Sequence, residues 1–116
     1  MTITEECKKY FEDWYFSQDY SKQGQYEYGQ RKALNMFNAM MLPFRWGVYV
    51  DFFDVNGIYI NSGKNLSNQI PDKYNYVIEV EIEVFSKKIY YEEYFNSLND
   101  SRTAAIEKAN EIYNSQ

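Results

Sequence analysis

Between Tyr76 and Phe85 the chain alternates strictly, with Tyr76, Ile78, Val80, Ile82 and Val84 in one row and Val77, Glu79, Glu81, Glu83 and Phe85 in the other. A period of two places these rows on opposite faces of a β-strand. The short Ser86-Lys87-Lys88 link leads into a second aromatic run, Ile89 to Phe95. Tyr76 to Phe95 is therefore expected to form an antiparallel hairpin, with Ile78, Val80 and Ile82 turned toward helices.

Elsewhere the period is helical. Thr2 followed by Glu5 matches a capping box, and behind it Ile3, Cys7, Tyr10, Phe11, Trp14 and Tyr15 recur at spacings of three and four. This first helix should fade by Ser17 to Asp19. A polar link from Ser21 to Gln25 precedes a second helix, from about Gln25 to Met41. Its stripe is Tyr26, Ala33, Phe37, Met40 and Phe44, with Leu34 and Met41 beside it. Gly29 weakens its start, and Pro43 is expected to end it. Met36, Met40 and Met41 read as core filler. A last helix, Arg102 to Tyr113, should bury Ala105, Ile106, Ala109, Ile112 and Tyr113, with Asn99, Asp100 and Ser101 as cap candidates.

Trp46 to Asp54 is rich in aromatic and β-branched residues and reads as a strand. Asn56-Gly57 reads as a two-residue turn into Ile58-Tyr59-Ile60. The register conflicts, because the turn puts Phe53 inward while the early half wants Trp46, Val48, Val50 and Phe52 inward. A bulge near Phe52-Phe53 would reconcile the two halves. Asn61 to Asn75 reads as a polar loop anchored by Leu66 and Ile70, and as the best loop candidate for a contact. The expected architecture is one α+β domain over residues 1–116. It is a four-stranded antiparallel meander with two N-terminal helices and one C-terminal helix packed on one face. The other face would carry Glu79, Glu81 and Glu83, ~7 Å apart along the strand.

Composition adjusts this picture in two places. Aromatic residues reach 20%, with 13 tyrosines, which either reflects an AT-rich genome or supplies stiff contact area for a binding surface. The net charge of −5 argues against direct nucleic-acid binding and permits a basic protein partner. The acidity is concentrated in the first twenty residues and between residues 76 and 100, whereas the stretch from 21 to 50 is net basic. Cys7 has no partner for an internal disulfide, the N-terminal residues lack signal-peptide character, and no apolar run is long enough to span a bilayer. These features point to a reduced, cytoplasmic setting without a membrane.

The candidate chemistry is narrow. The chain has no histidine and one cysteine, so histidine-based triads and structural zinc sites are excluded within it. Gly57, Gly63 and Lys64 miss the phosphate-loop spacing, and Phe52 spoils the calcium-loop pattern before Asp54. Glu79, Glu81 and Glu83 could join Asp51 or Asp54 around Mg²⁺, but alternating charges are also how a strand presents its wet face. No lysine follows these glutamates at the spacing restriction-type nucleases use. The expectation is no catalytic residue, no metal ligand and no cofactor. A partner surface is expected instead at Glu79, Glu81, Glu83, Tyr90, Glu92 and Tyr94, where carboxylates steer and aromatic rings supply contact energy.

The ending Tyr94-Phe95-Asn-Ser-Leu-Asn-Asp-Ser101-Arg102-Thr-Ala104-Ala105-Ile106-Glu-Lys-Ala109-Asn resembles the tail of many small phage and prophage proteins. In those, a final strand runs into a Ser-Arg-x-x-Ala cap and an alanine-rich helix that closes on the sheet. Size, acidity and composition are similar to those of anti-CRISPR proteins and other phage inhibitors of bacterial defence. That group contains unrelated folds, so no functional residue carries over. The resemblance implies an inhibitor acting in the bacterial cytoplasm on a basic host protein. The implied target is an RNA-guided Cas nuclease of the Cas9 or Cas13 type, or its guide-RNA complex. Competing readings are an immunity protein for a basic nuclease toxin, a metal-dependent enzyme using the glutamate row, and a phage assembly protein.

Overall fold

The computed structural model describes residues 3–64 and 73–116. Along them run helices α1 (Glu5–Ser17), α2 (Asp19–Tyr28), α3 (Gln30–Ala39) and α4 (Leu42–Val55), then strands β1 (Ile58–Lys64), β2 (Tyr74–Glu83) and β3 (Ser86–Phe95), then helix α5 (Leu98–Asn114). The strands form one antiparallel sheet in the order β1-β2-β3. The fold is α+β, but the expected four-stranded meander with three helices is wrong: among the described residues five helices flank a three-stranded sheet. The Thr2 cap, Leu66, Ile70 and most of the expected contact loop lie outside the described residues, and Asn61 to Lys64 belong to β1.

The largest correction concerns Trp46 to Asp54, which is helix α4 and not a strand. Phe52 and Phe53 are adjacent and both fully buried, which a strand alternating between two faces cannot achieve against one core. Leu42, Tyr49, Phe52 and Phe53 are buried at helical spacing, so the register conflict was the signature of the wrong period. Pro43 opens α4 instead of ending the previous helix, since its missing N–H falls where no intrahelical partner exists. Asn56-Gly57 closes α4. Gly57 adopts φ +76, its N–H donates to Asp54 O at 3.1 Å, and Asn56 Nδ2 donates to Phe52 O at 2.8 Å. Hairpin turns and helix C-caps both need a left-handed residue, so the dipeptide fits either.

The expected second helix is split. Gly29, at φ 82 and ψ 163, separates α2 from α3, and the supposed link from Ser21 to Gln25 is helical. Ser21 is buried because its hydroxyl donates to Tyr15 O at 2.7 Å at the α1–α2 corner. The chain between α3 and α4 is extended at Met40 and Met41. These breaks turn the stripe, so only Ala33 and Phe37 are buried, with Leu34 half-buried. Tyr26, Met36, Met40, Met41 and Phe44 are exposed, and the methionines are not core filler.

The hairpin forms as expected, with a different turn. Glu83 pairs with Ser86 around Val84-Phe85, and Phe85 has φ +69, while Lys87 and Lys88 lie within β3 opposite Glu81 and Val80. The inward row is Tyr76, Ile78 and Val80, completed by Ile58 and Ile60 of β1. It ends there, since Ile82 and Val84 are exposed. Helix α5 begins at Leu98, capped by Ser97, whose Oγ accepts the Asp100 N–H at 3.0 Å, not at Asn99 to Ser101. It lies across β1 and β2 and buries Ala105, Ile106, Ala109 and Ile112, leaving Tyr113 half-buried. Above it, Phe11 of α1 meets Tyr49 at 5.1 Å, Phe52 at 5.3 Å and Phe37 at 5.9 Å between ring centroids.

The start of α1 is held from the far end of the chain. The Thr4 N–H donates to Asn110 Oδ1 at 2.9 Å, and the Cys7 N–H donates to Asn114 Oδ1 at 2.9 Å. Asn114 Nδ2 donates back to Thr4 O at 3.1 Å. These amides satisfy donors that a helix start leaves without partners and hold Glu5 in a left-handed conformation at φ +55. Asn114→Ala strands the Cys7 N–H and should cost about 1–3 kcal/mol in urea unfolding. An unchanged midpoint would show that the clasp contributes nothing.

Candidate functional site

The parity of β2 and β3 divides the expected partner residues between two faces. Glu79 and Glu81 lie on the face of β2 opposite the core row, beside Tyr59 of β1 and Lys87, Ile89 and Tyr91 of β3, whereas Glu83 lies past the register slip that follows Glu81 and pairs with Ser86. Tyr90 and Glu92 pair with Ile78 and Tyr76, which puts them on the helix-facing side. Tyr94 sits where the register slips between Tyr76 and Tyr74, with φ +77. The six residues therefore do not form one surface.

On the open face the glutamate row is partly neutralised. Lys87 Nζ approaches Glu79 Oε2 at 3.3 Å, and the Tyr59 hydroxyl donates to Glu81 Oε1 at 2.9 Å. The hydrogen bond to that carboxylate raises the Tyr59 pKa, because a phenolate there would face a negative charge. Both contacts are exposed, so neither adds much stability. Glu83 makes no hydrogen bond or ion pair with the described residues. Asp51 and Asp54 stand on α4, and among the described residues no three acidic, cysteine or histidine side chains converge on a metal position.

Two further features went unread in the sequence. The first is the hairpin end, where Ile82 is 58%, Val84 82% and Phe85 103% exposed. The signal was there: a two-residue turn normally carries Asn or Gly, and this one carries valine and phenylalanine. The second is a groove of about 630 Å³ between β3 and α5, whose lining includes Tyr76, Tyr90, Glu92, Ala104, Lys108 and Glu111. It exists because α5 covers β1 and β2 and leaves the helix-facing side of β3 largely uncovered. The ammonium groups of Lys88 and Lys108 lie 5.0 and 5.1 Å from the Tyr90 ring. Burial, reinforced by the Glu92 carboxylate 3.3 Å from its hydroxyl, pushes Tyr76 up to about 12.

The Ser-Arg pair of the tail is structural. Ser101 Oγ lies 2.7 Å from Ser62 Oγ, joining α5 to β1, and the Arg102 guanidinium stacks 5.1 Å from the Trp46 ring. Cys7 is fully buried, and burial pushes its thiol from 9.0 to about 12, far from a nucleophile's range.

Exposure separates the residues that build the fold from those available for contact. Glu81→Lys, Glu83→Lys and Phe85→Ser should each shift stability by no more than about 0.5 kcal/mol, whereas Ile78→Ala should cost about 2–5 kcal/mol in thermal or urea unfolding. Because Cys7 and Tyr76 hold protons in the folded state that the unfolded chain releases, their contribution is complete below pH 9 and is lost as pH rises toward 12. Urea titrations across that window should show stability falling, and Cys7→Ala should flatten the lower part of the fall. No family model, no curated protein and no solved structure matches the chain.

Proposed function

We propose that this protein is a non-enzymatic binding module that engages a basic partner protein through its hairpin end and the adjoining open face. The observation that carries this reading is the exposure of Ile82, Val84 and Phe85 beside Glu81 and Glu83. These apolar side chains do nothing for the core, and a grouped apolar patch edged by charge is the usual character of an interaction site. Phenylalanine supplies contact area at an interface centre, and the carboxylates steer a positive surface toward it. The chain's net charge of −5 acts in the same sense. No helix among the described residues is long and apolar enough to cross a membrane.

The finer proposal is that the partner is an RNA-guided Cas nuclease and that the protein is a phage inhibitor of the anti-CRISPR kind, acting in the bacterial cytoplasm. The nucleic-acid groove of such an enzyme is basic because it holds phosphates, and glutamates at strand spacing offer it a substitute. Its test is target cleavage by purified Cas9 and Cas13 guide complexes with and without the protein. The expected result is suppression of one of them, weakened at least about tenfold by Glu81→Lys with Glu83→Lys, and separately by Phe85→Ser. Full cleavage by both enzymes at a large excess of inhibitor would remove the Cas target. Suppression untouched by these substitutions would remove the hairpin end as its site.

A further inference from the structure

Among the described residues strand β3 is a free edge of the sheet, because the strand order ends with it. Its regular pairing with β2 runs from Lys87 to Glu92, after which the register slips through Glu93 and Tyr94, the latter at φ +77. Soluble proteins usually guard such an edge with a charge or proline at its middle. Here the middle is Ile89-Tyr90-Tyr91, with Ile89 58% and Tyr91 70% exposed, and the charges are sorted by sign to the two ends. Lysines 87 and 88 precede the apolar centre, and glutamates 92 and 93 follow it.

This arrangement is complementary to itself. When two copies of β3 run antiparallel about a twofold axis at Tyr90, Lys88 stands opposite Glu92 and Lys87 opposite Glu93. Ile89 then stands opposite Tyr91, and each of these pairs occurs twice. Directly opposite residues lie ~5 Å apart at Cβ, within reach of ion pairs and of Ile–Tyr packing. Sliding the register by two residues in either direction removes every one of these charge pairings. A parallel arrangement sets lysine beside lysine and glutamate beside glutamate. The twofold axis stands perpendicular to the sheet, so both α5 helices remain on one side. Because α5 covers β1 and β2, the uncovered strip above β3 leaves room for the second copy.

We propose that the protein forms a homodimer by antiparallel β3–β3 pairing in this register, giving a continuous six-stranded sheet. Lys87 already contacts Glu79 within its own chain at 3.3 Å, and Glu93 of the second copy joins that pair. The turn residues Val84 and Phe85 of the two copies lie toward opposite ends of the shared strands and stay exposed. The dimer is independent of any reading of what the hairpin end binds.

The test is sedimentation equilibrium of the full chain over a range of concentrations, with two charge-swapped variants. Wild type is expected to approach twice 14.0 kDa as concentration rises, with weaker association at high salt. Lys87→Glu with Lys88→Glu should be monomeric, as should Glu92→Lys with Glu93→Lys, because each sets like charges opposite one another. An equimolar mixture of the two should dimerise again, since every opposite pair is then complementary. Recovery on mixing shows that both variants are folded and that the charged ends of β3 carry the association. A wild type that stays monomeric at every concentration overturns the proposal. So do variants that self-associate as well as wild type, or a mixture that remains monomeric while circular dichroism shows both variants folded.

Discussion

The burial of Tyr76, Ile78 and Val80 beneath α5 is the constraint on which the rest of the structure depends. Strand β2 is the central strand, and its inward row meets Ile58 and Ile60 on one side and the alanine-rich face of α5 above. Small residues at Ala105 and Ala109 let the helix lie close to the sheet. Each large apolar side chain fully buried there contributes roughly 1.5–3 kcal/mol before its ordering cost. Strand β2 runs past the helix layer above it, its pairing slips between Glu81 and Glu83, and Val84 falls in the turn. That is why Ile82 and Val84 are exposed although the sequence pattern marks them as equivalent to Ile78 and Val80.

The helical layer is organised around a second, aromatic centre. Phe11 brings α1, α3 and α4 together through Phe37, Tyr49 and Phe52, with Phe11 and Phe52 meeting edge-to-face at an interplanar angle of 87°. Tyrosine and phenylalanine suit this role because ring contacts add specificity to area burial. Part of the tyrosine excess is thus structural: Tyr15, Tyr49 and Tyr76 are buried, while Tyr26, Tyr91 and Tyr94 are largely exposed. The two ends of the chain are joined by polar contacts, where Asn110 and Asn114 complete the start of α1.

The surfaces proposed for contact share one property: the fold does not require them. The hairpin end projects beyond the core, and the β3 edge and the groove beside it are left open because α5 covers only the other two strands. Acidic residues alone would not have distinguished these places, since Glu79 and Glu81 are engaged by Lys87 and Tyr59. Exposed valine and phenylalanine at a turn, and an edge strand whose charges mirror themselves, are more specific features. Both combine apolar contact with charge that discriminates between partners.

The sequence by itself determined the β2–β3 hairpin, the first helix and the buried face of the last one, because alternation and helical spacing are local and strong there. It also excluded histidine- and zinc-based chemistry. Only the tertiary structure decided α4, whose β-branched and aromatic residues favour a strand until Phe52 and Phe53 must both face one core. It decided that Asn56-Gly57 caps a helix, since the required left-handed glycine serves either role. It decided as well that Gly29 divides a helix and that Met40, Met41 and Phe44 stay outside. Of the expected site, the sequence supplied the residues on β2 and β3 but not their separation onto two faces, because a strand's parity has meaning only once one face is covered. What α5 covers, and where it stops, is a property of the assembled layers.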